Sequence, residues 1–210
     1  MKNKKDVDEI VAALENEYPS ALCSLDYRKD YELLFSVRLA AQCTDERVNK
    51  ITPALFKAFP TLEAFAAADI AEVEKYIRSC GFYHHKARDI VLAAQMLLSD
   101  FNGKVPDNME DLLRIPGVGR KTANLILGDI FHQPAVVTDT HCIRIANLLG
   151  MTDSKIPVKV EQQLREQLPP EKSSDFCHRL VLHGRAVCVA RRPKCAICCL
   201  NPWCDSKLVK

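Results

Sequence analysis

The chain has 210 residues, 48% hydrophobic and 27% charged, enough apolar material for one large domain or two small interlocked ones. Its 29 lysines and arginines against 27 acidic residues leave a formal net charge of +2, which excludes a histone-like polycation and requires any nucleic-acid partner to be met by a local basic patch. No apolar run approaches a membrane span, and the opening MKNKKDVDEIVAAL has neither a long apolar stretch nor a small-residue cleavage site, so no membrane segment and no secretory leader are expected.

Apolar residues recur at helical spacing almost throughout. Val7, Ile10, Val11 and Leu14 follow the i, i+3, i+4, i+7 rule, and Leu34, Val37 and Ala41, then Val48, Ile51 and Leu55, continue it. Asp69 is placed to cap a helix with Glu72 three residues on and an Ile70, Val73, Ile77 stripe; Gly81 suits its end. Ile90, Val91, Ala94, Leu97, Leu98 and Phe101 mark a longer helix closing at Asn102-Gly103, and Asn108 suits the cap of a short one with Leu112 and Leu113. Cys142, Ile145, Ala146 and Leu149 repeat the pattern with Gly150 as the stop. Val160, Leu164 and Leu168 do so before Pro169-Pro170, and Ser173 is the expected cap of a last long helix through Phe176, Leu180 and Val187. Only PAVVT (134–138) reads as extended, too short for a sheet by itself. The fold class is all-α, with short connections between packed helices and neither repeats nor low-complexity tracts.

IPGVGRKTAN (115–124) reads as helix, tight glycine turn, helix, with Leu125, Leu127 and Ile130 helical beyond it. Gly-x-Gly alone marks no more than an αα-hairpin. With Pro116 before it and Arg120-Lys121 after it, the string points to phosphate binding. Glycines leave the amides at the start of the second helix uncovered, and amides plus the helix dipole attract an anion. Lys121 falls in the first turn of that helix, where the dipole disfavours a cation and lowers the pKa of the amine; partial burial would lower it further. A neutral amine is a nucleophile that forms imines with aldehyde carbons. By itself the lysine fits equally a side chain that snorkels to solvent or to a DNA phosphate.

Asp139 shifts that balance. A helix from Arg120 to about Phe131 rises roughly 17 Å, and extended chain from Gln133 to Thr138 travels back roughly 20 Å, so Asp139 can return to the level of Lys121. A carboxylate beside a reactive lysine can stabilise positive charge at a sugar C1′ and help move protons. Asp139 also suits the N-cap of the helix containing Ile145, and both roles are compatible.

The ten cysteines are unevenly spread: Cys23, Cys43, Cys80, Cys142 and Cys177 lie among apolar neighbours, while Cys188, Cys195, Cys198, Cys199 and Cys204 crowd the end, a pattern of a reduced cytosolic protein with a metal site. Cys188, Cys195, Cys198 and Cys204 give C-x6-C-x2-C-x5-C. A compact four-thiolate loop with one short pair is compatible with a [4Fe-4S] cluster, and zinc stays open on spacing alone. Cys198 is taken over Cys199 because it gives the x2 step. The loop between the first two cysteines carries Arg191, Arg192 and Lys194, a basic knob for phosphates once its ends are clamped.

Together, IPGVGRKTAN, VTDTHCIRIANLLG and LHGRAVCVARRPKCAICCLNPWC resemble the endonuclease III family, base-excision DNA glycosylases of the helix-hairpin-helix superfamily, from about residue 7 to residue 204. The resemblance implies two all-α lobes: a six-helix barrel at 23–134 with its helix-hairpin-helix at 108–131, and an iron–sulfur lobe from 1–22 and 135–210, with DNA across the cleft between them. It makes Lys121 the imine-forming nucleophile, Asp139 the catalytic carboxylate, and the four cysteines the ligands of a [4Fe-4S] cluster. In AAQCTDERVNK (40–50) Gln42 matches the residue that fills the gap left by a flipped nucleotide; Asp45 resembles an active-site residue and equally suits a helix cap. CGFYHHKA (80–87) matches a segment bearing an intercalating leucine, with Phe82 in its place, which alters the wedge. Gly117, Val118, Gly119, Arg120, His141, Arg191, Arg192 and Lys194 complete the implied DNA contacts. Cys43 and Cys199 depart from the family pattern and receive no role.

The implied activity is a bifunctional glycosylase/AP lyase that flips out oxidised or ring-saturated pyrimidines and cuts the strand 3′ to the lesion by β-elimination. Its partner is double-stranded DNA with damaged bases or abasic sites. The implied protein is a monomer in the cytoplasm, nucleoid-associated in a bacterium and without membrane association. Adenine-mismatch glycosylases of the same fold lack the hairpin lysine and carry a long C-terminal recognition domain, whereas this sequence stops at Lys210; mismatch-thymine glycosylases also tend to lack the lysine. A non-catalytic iron–sulfur DNA-binding module is the alternative from another class.

Overall fold

The computed structural model describes residues 1–206. Among them the regular elements are all helical: α1 (Lys4–Glu17), α2 (Asp30–Ala40), α3 (Asp45–Ala58), α4 (Leu62–Ala66), α5 (Ile70–Ile77), α6 (Tyr83–Phe101), α7 (Met109–Arg114), α8 (Arg120–Asp129), α9 (Thr140–Leu148), α10 (Pro157–Gln167) and α11 (Ser173–Ala186), with short 3-10 turns at Pro170–Lys172, Cys195–Ile197 and Asn201–Trp203. None of the described helices is long and apolar enough to cross a membrane. The chain divides into two compact units, Cys23–Phe131 (the hairpin unit) and Met1–Leu22 with His132–Lys210 (the cysteine unit).

In the hairpin unit, α6 packs against α2, α4 and α5 through Ala87, Ile90, Val91, Ala94 and Leu97, the face of period 3.6. Phe65 of α4 sits in a ring cluster, its centroid 5.0 Å from Phe35 and 5.2 Å from Phe59. The helix starts are set by short polar side chains: Thr44, Thr61, Asp69 and Asn108 accept from the amides of Arg47, Ala64, Ala71 and Asp111. Helix α5 stops at Ile77, short of Gly81, because the Cys80 amide turns back to Ile77 O at 2.8 Å. The left-handed residue that leads into α6 is Phe82 (φ 58°), not the glycine. Helix α8 likewise ends at Asp129 instead of near Phe131, and His132 takes φ 51° just beyond.

In the cysteine unit, Val7, Ile10, Val11 and Leu14 of α1 are buried, and α11 packs on both α1 and α9. The N-terminal helix is tied to residues late in the chain. Trp203 Nε1 donates to Glu9 Oε2 at 3.1 Å, Lys2 pairs with Asp205 at 2.9 Å, and Arg179 Nε donates to the Tyr18 carbonyl at 3.1 Å. Gly150 (φ 66°) ends α9. Ser173 is the first residue of α11 and not its cap: its hydroxyl donates to Pro170 O at 2.7 Å, inside the preceding 3-10 turn, which leaves Lys172 at the cap position. PAVVT runs extended with Ala135, Val136 and Val137 buried, and it joins no ladder.

Helices α9 and α11 meet at Gly184. A Cβ there would lie 2.4 Å from His141 Nδ1 and 3.1 Å from His141 Cβ, so part of the obstacle is too close to the backbone to swing away. Alanine is the better helix former by about 1 kcal/mol, but overpacking costs about 1–3 kcal/mol. Gly184→Ala is therefore expected to lower stability in denaturant titration; an unchanged or raised midpoint would show that His141 yields freely.

Candidate functional site

The hairpin of α7 and α8 is built on a close approach. Gly117 has φ +79°, and a Cβ on it would lie 2.7 Å from Arg38 Nε and 3.0 Å from Asp89 Cβ. Arg38 and Asp89 form an ion pair, Nη2 and Nε both donating to Oδ2 at 2.6 and 2.7 Å. Both the left-handed backbone and the space demand glycine. Ile115 is buried beneath the turn, and the Val118 amide donates to Ile115 O at 3.0 Å. Gly119 is the N-cap of α8, in extended backbone with open space at its Cβ position and no side-chain cap; the first turn of α8 contains no acid. The N-terminus of α8 thus carries neither a side-chain cap nor an acid, and the helix dipole there attracts an anion. Arg120 and Lys121 follow at once, both exposed, and Val118 is half-buried.

Gln42 and Phe82 share a second feature of this unit. Both are exposed, Phe82 to 64%, and both hold left-handed backbone at φ 54° and 58°. Neither residue type favours that conformation, and strain of this kind persists where the surroundings over-determine it, often at functional sites. Their loops touch, since a Cβ on Gly81 would lie 3.9 Å from Gln42 O. Asp45 is the first residue of α3, and Thr44 supplies the cap, which leaves the Asp45 carboxylate to accept from Ser24 Oγ at 2.5 Å.

In the cysteine unit, Asp139 is half-buried and is the N-cap of α9: the Cys142 amide donates to its Oδ1 at 2.7 Å. His141 is half-buried against Gly184, with Arg144 Nη2 3.4 Å from its Nδ1. Cys188, Cys195, Cys198 and Cys204 line one cavity of about 180 Å³ whose walls are otherwise mainly apolar, and Cys199 is not among the lining residues. Polar groups reach the sulfurs from outside. Arg144 Nη1 donates to Cys188 Sγ at 3.2 Å, and His183 Nε2 lies 3.3 Å from Cys198 Sγ. Burial, with Arg144 adding to it, pulls His183 down to about 4, so the imidazole is neutral; its Nδ1 meets the Tyr18 hydroxyl at 3.1 Å. Burial pushes the Cys198 and Cys204 thiols up, a penalty on the thiolate that a bound metal centre offsets. No three His, Cys, Asp or Glu side chains among the described residues converge closely enough to hold one ion. Arg191, Arg192 and Lys194 are exposed on the loop after Cys188, which closes on itself where the Lys194 amide donates to Val187 O at 3.0 Å.

Several of these partners escape a reading by sequence pattern. Arg38 and Asp89 stand 51 residues apart with no motif linking them. Arg144 does leave a signal, as the one charged residue within CIRIANLL, whose neighbours Cys142, Ile145 and Ala146 are buried. Lys121 lies in the hairpin unit and Asp139 in the cysteine unit.

Comparison with known proteins fits these features. The family described as HhH-GPD superfamily base excision DNA repair protein matches residues 35–170. Endonuclease III of Synechocystis is 45% identical over 97% of this chain and 93% of its own length, and that of Haemophilus influenzae 38% over 98% and 97%. A solved structure of a trapped endonuclease III–DNA covalent intermediate superposes with a TM-score of 0.92, at 38% identity, over 98% of this chain and 97% of the other. The chain belongs to the endonuclease III family of the HhH-GPD superfamily of base-excision DNA repair proteins.

The hairpin geometry separates its two glycines. Gly117→Ala is expected to cost about 1–3 kcal/mol from strain and collision, and Gly119→Ala less than about 1 kcal/mol. Parallel thermal melts test this, and equal losses would remove the close approach as the reason for Gly117.

Proposed function

We propose that this protein is a bifunctional DNA glycosylase and AP lyase of base-excision repair, acting on oxidised or ring-saturated pyrimidines in double-stranded DNA. The observation that carries the reading is an exposed lysine in the first turn of a helix whose leading amides have no side-chain cap. A relative of the same family was trapped covalently on DNA, the outcome such a lysine would produce. The monomeric state and a cytoplasmic, nucleoid-associated location belong to the same proposal.

In the proposed reaction the amides at the start of α8 donate to a backbone phosphate, and Arg120 adds charge. Arg191, Arg192 and Lys194 bind further phosphates, and His141 touches the strand near the lesion. Gln42 and Phe82 enter the duplex as the damaged nucleotide leaves the stack, because C1′ is out of reach inside it. Poor stacking of damaged bases lowers the cost of that step. Lys121 Nζ, unprotonated, attacks C1′; the C1′–N bond to the base breaks, and the base departs with a proton. The sugar opens to an imine, a proton leaves C2′, and the C3′–O bond breaks. Asp139 has one oxygen engaged by the Cys142 amide; its other oxygen is assigned to offset positive charge at the sugar and to move protons. Asp45 is assigned to the polar surroundings of the flipped base.

Cys188, Cys195, Cys198 and Cys204 would hold a [4Fe-4S] cluster: four thiols around one mainly apolar cavity, with an arginine and a neutral histidine at the sulfurs, fit such a group. When bound, it would supply four links that fix both ends of the basic loop.

Borohydride trapping on a duplex with an abasic site tests the lyase. Wild-type protein should give a covalent adduct that disappears in Lys121→Ala, while that variant keeps binding the duplex. Folded, DNA-binding wild type that gives no adduct would overturn the assignment. Anaerobically purified protein should be brown with about four irons per chain; stoichiometric zinc without iron would refute the cluster.

A further inference from the structure

Cys43 and Cys80 are 37 residues apart in sequence and in contact in the fold, Cys43 Sγ donating to Cys80 Sγ at 3.7 Å. Cys43 is half-buried and Cys80 fully buried, and both are free thiols. They occupy the connection between α2 and α3 and the one between α5 and α6. Cys43 directly follows Gln42, and Cys80 is separated from Phe82 only by Gly81. The pair therefore sits at the roots of the two exposed, left-handed residues, in loops that already touch at Gly81 and Gln42 O.

A disulfide needs its sulfurs at about 2.05 Å, so this pair has to close by about 1.7 Å, a distance within reach of side-chain rotation and a small loop shift. Lys86, buried on α6 with its ammonium donating to Leu39 O at 2.9 Å, is close enough to interact with both sulfurs electrostatically. At Cys80 this cation only partly offsets the larger effect of burial. Burial, with the Cys43 contact adding to it, pushes Cys80 up to about 11, which keeps it a thiol until a partner is presented. Accessibility assigns Cys43 as the sulfur that meets an oxidant first.

We infer that Cys43 and Cys80 form a reversible disulfide under hydrogen peroxide, and that this bond weakens the grip of the Gln42 and Phe82 loops on damaged DNA. The DNA-binding half rests on the function proposed above. In the first step the Cys43 thiolate attacks peroxide, the O–O bond breaks, and sulfenic acid and hydroxide result. In the second, the Cys80 sulfur attacks the sulfenic sulfur; the hydroxyl group leaves with the Cys80 proton as water. Overall two thiols give two electrons to one peroxide, producing one disulfide and two waters. Exchange with a small thiol reverses it. Closing the sulfur gap draws the roots of the two loops together and shifts Gln42 and Phe82 from the positions their backbone now fixes. Insertion into a duplex depends on those positions.

The test uses the full-length protein with its metal centre, treated with peroxide and then quenched. Peptide mass spectrometry reads the linkage, and fluorescence anisotropy reads binding to a duplex with a stable abasic-site analogue. Expected are a peptide joining residues 43 and 80, a loss of affinity of at least about tenfold from the displaced loops, and recovery with dithiothreitol. Cys43→Ser should form no such link and keep its affinity after peroxide; damage to the metal centre would show equally in that variant. Absence of the linked peptide in wild type overturns the disulfide. A linked protein with unchanged affinity, or an equal loss in Cys43→Ser, overturns the switch. If reduced wild type does not bind the duplex, the proposed function falls together with the DNA-binding half of this inference, and the linked peptide still decides the disulfide.

Discussion

The Arg38–Asp89 ion pair is the seat on which the hairpin rests. Gly117 comes so near it that no side chain fits, and its left-handed backbone turns the chain from α7 into α8, whose N-terminus has no side-chain cap. A half-buried guanidinium that donates twice to one carboxylate oxygen is directional as well as attractive, so it sets the position of the turn. The same two helices that supply the pair also lead to the exposed loops. Arg38 stands on α2 four residues before Gln42, and Asp89 on α6 seven residues after Phe82. One interaction thereby relates the uncapped start of α8, the exposed Lys121 and the two left-handed residues within a single unit.

The cysteine unit is organised by proximity of a different kind. Gly184 lets α11 lie against His141 of α9, and both helices then deliver side chains to the cysteine pocket: Arg144 from α9 and His183 from α11. The four cysteines come from the segment just beyond α11, and Asp205, one residue past the last of them, returns to the end of α9, its amide donating a hydrogen bond to Leu148 O at 2.8 Å. A pocket anchored by helix packing on one side and by that hydrogen bond on the other limits where its four thiols can go.

Much of this was legible in the chain because it rests on local rules. The apolar period placed the helices, Asn108 and Asp69 cap as their positions require, and the glycines of IPGVG occupy the turn where a left-handed residue and a bare helix start are needed. What escaped depends on tertiary context. A Phe or a Gln with positive φ has no sequence signature, since Gly or Asn is the usual choice there, and Gly81 therefore draws the eye as the end of α5, which the chain reaches already at Ile77. Ser173 looked like a cap because Ser is a good one, but the 3-10 turn before it captured its hydroxyl. Arg38, Asp89, Cys43 and Cys80 meet across tens of residues, a separation that no periodicity encodes.

The ties between Trp203 and Glu9, Lys2 and Asp205, and Arg179 and Tyr18 bear on how the molecule comes into being. The hairpin unit is one continuous stretch and can close as soon as its last helix is made. Helix α1 precedes the hairpin unit in the chain but finds its partner helix only after it, 161 residues separating Tyr18 from Arg179. Until then the buried stripe of Val7, Ile10, Val11 and Leu14 lacks the cover of α11. Closing that long loop carries an entropic cost that late contacts must offset. Order along the chain therefore divides the molecule: the unit bearing Lys121 can mature first, and the unit bearing the cysteine pocket waits for α11.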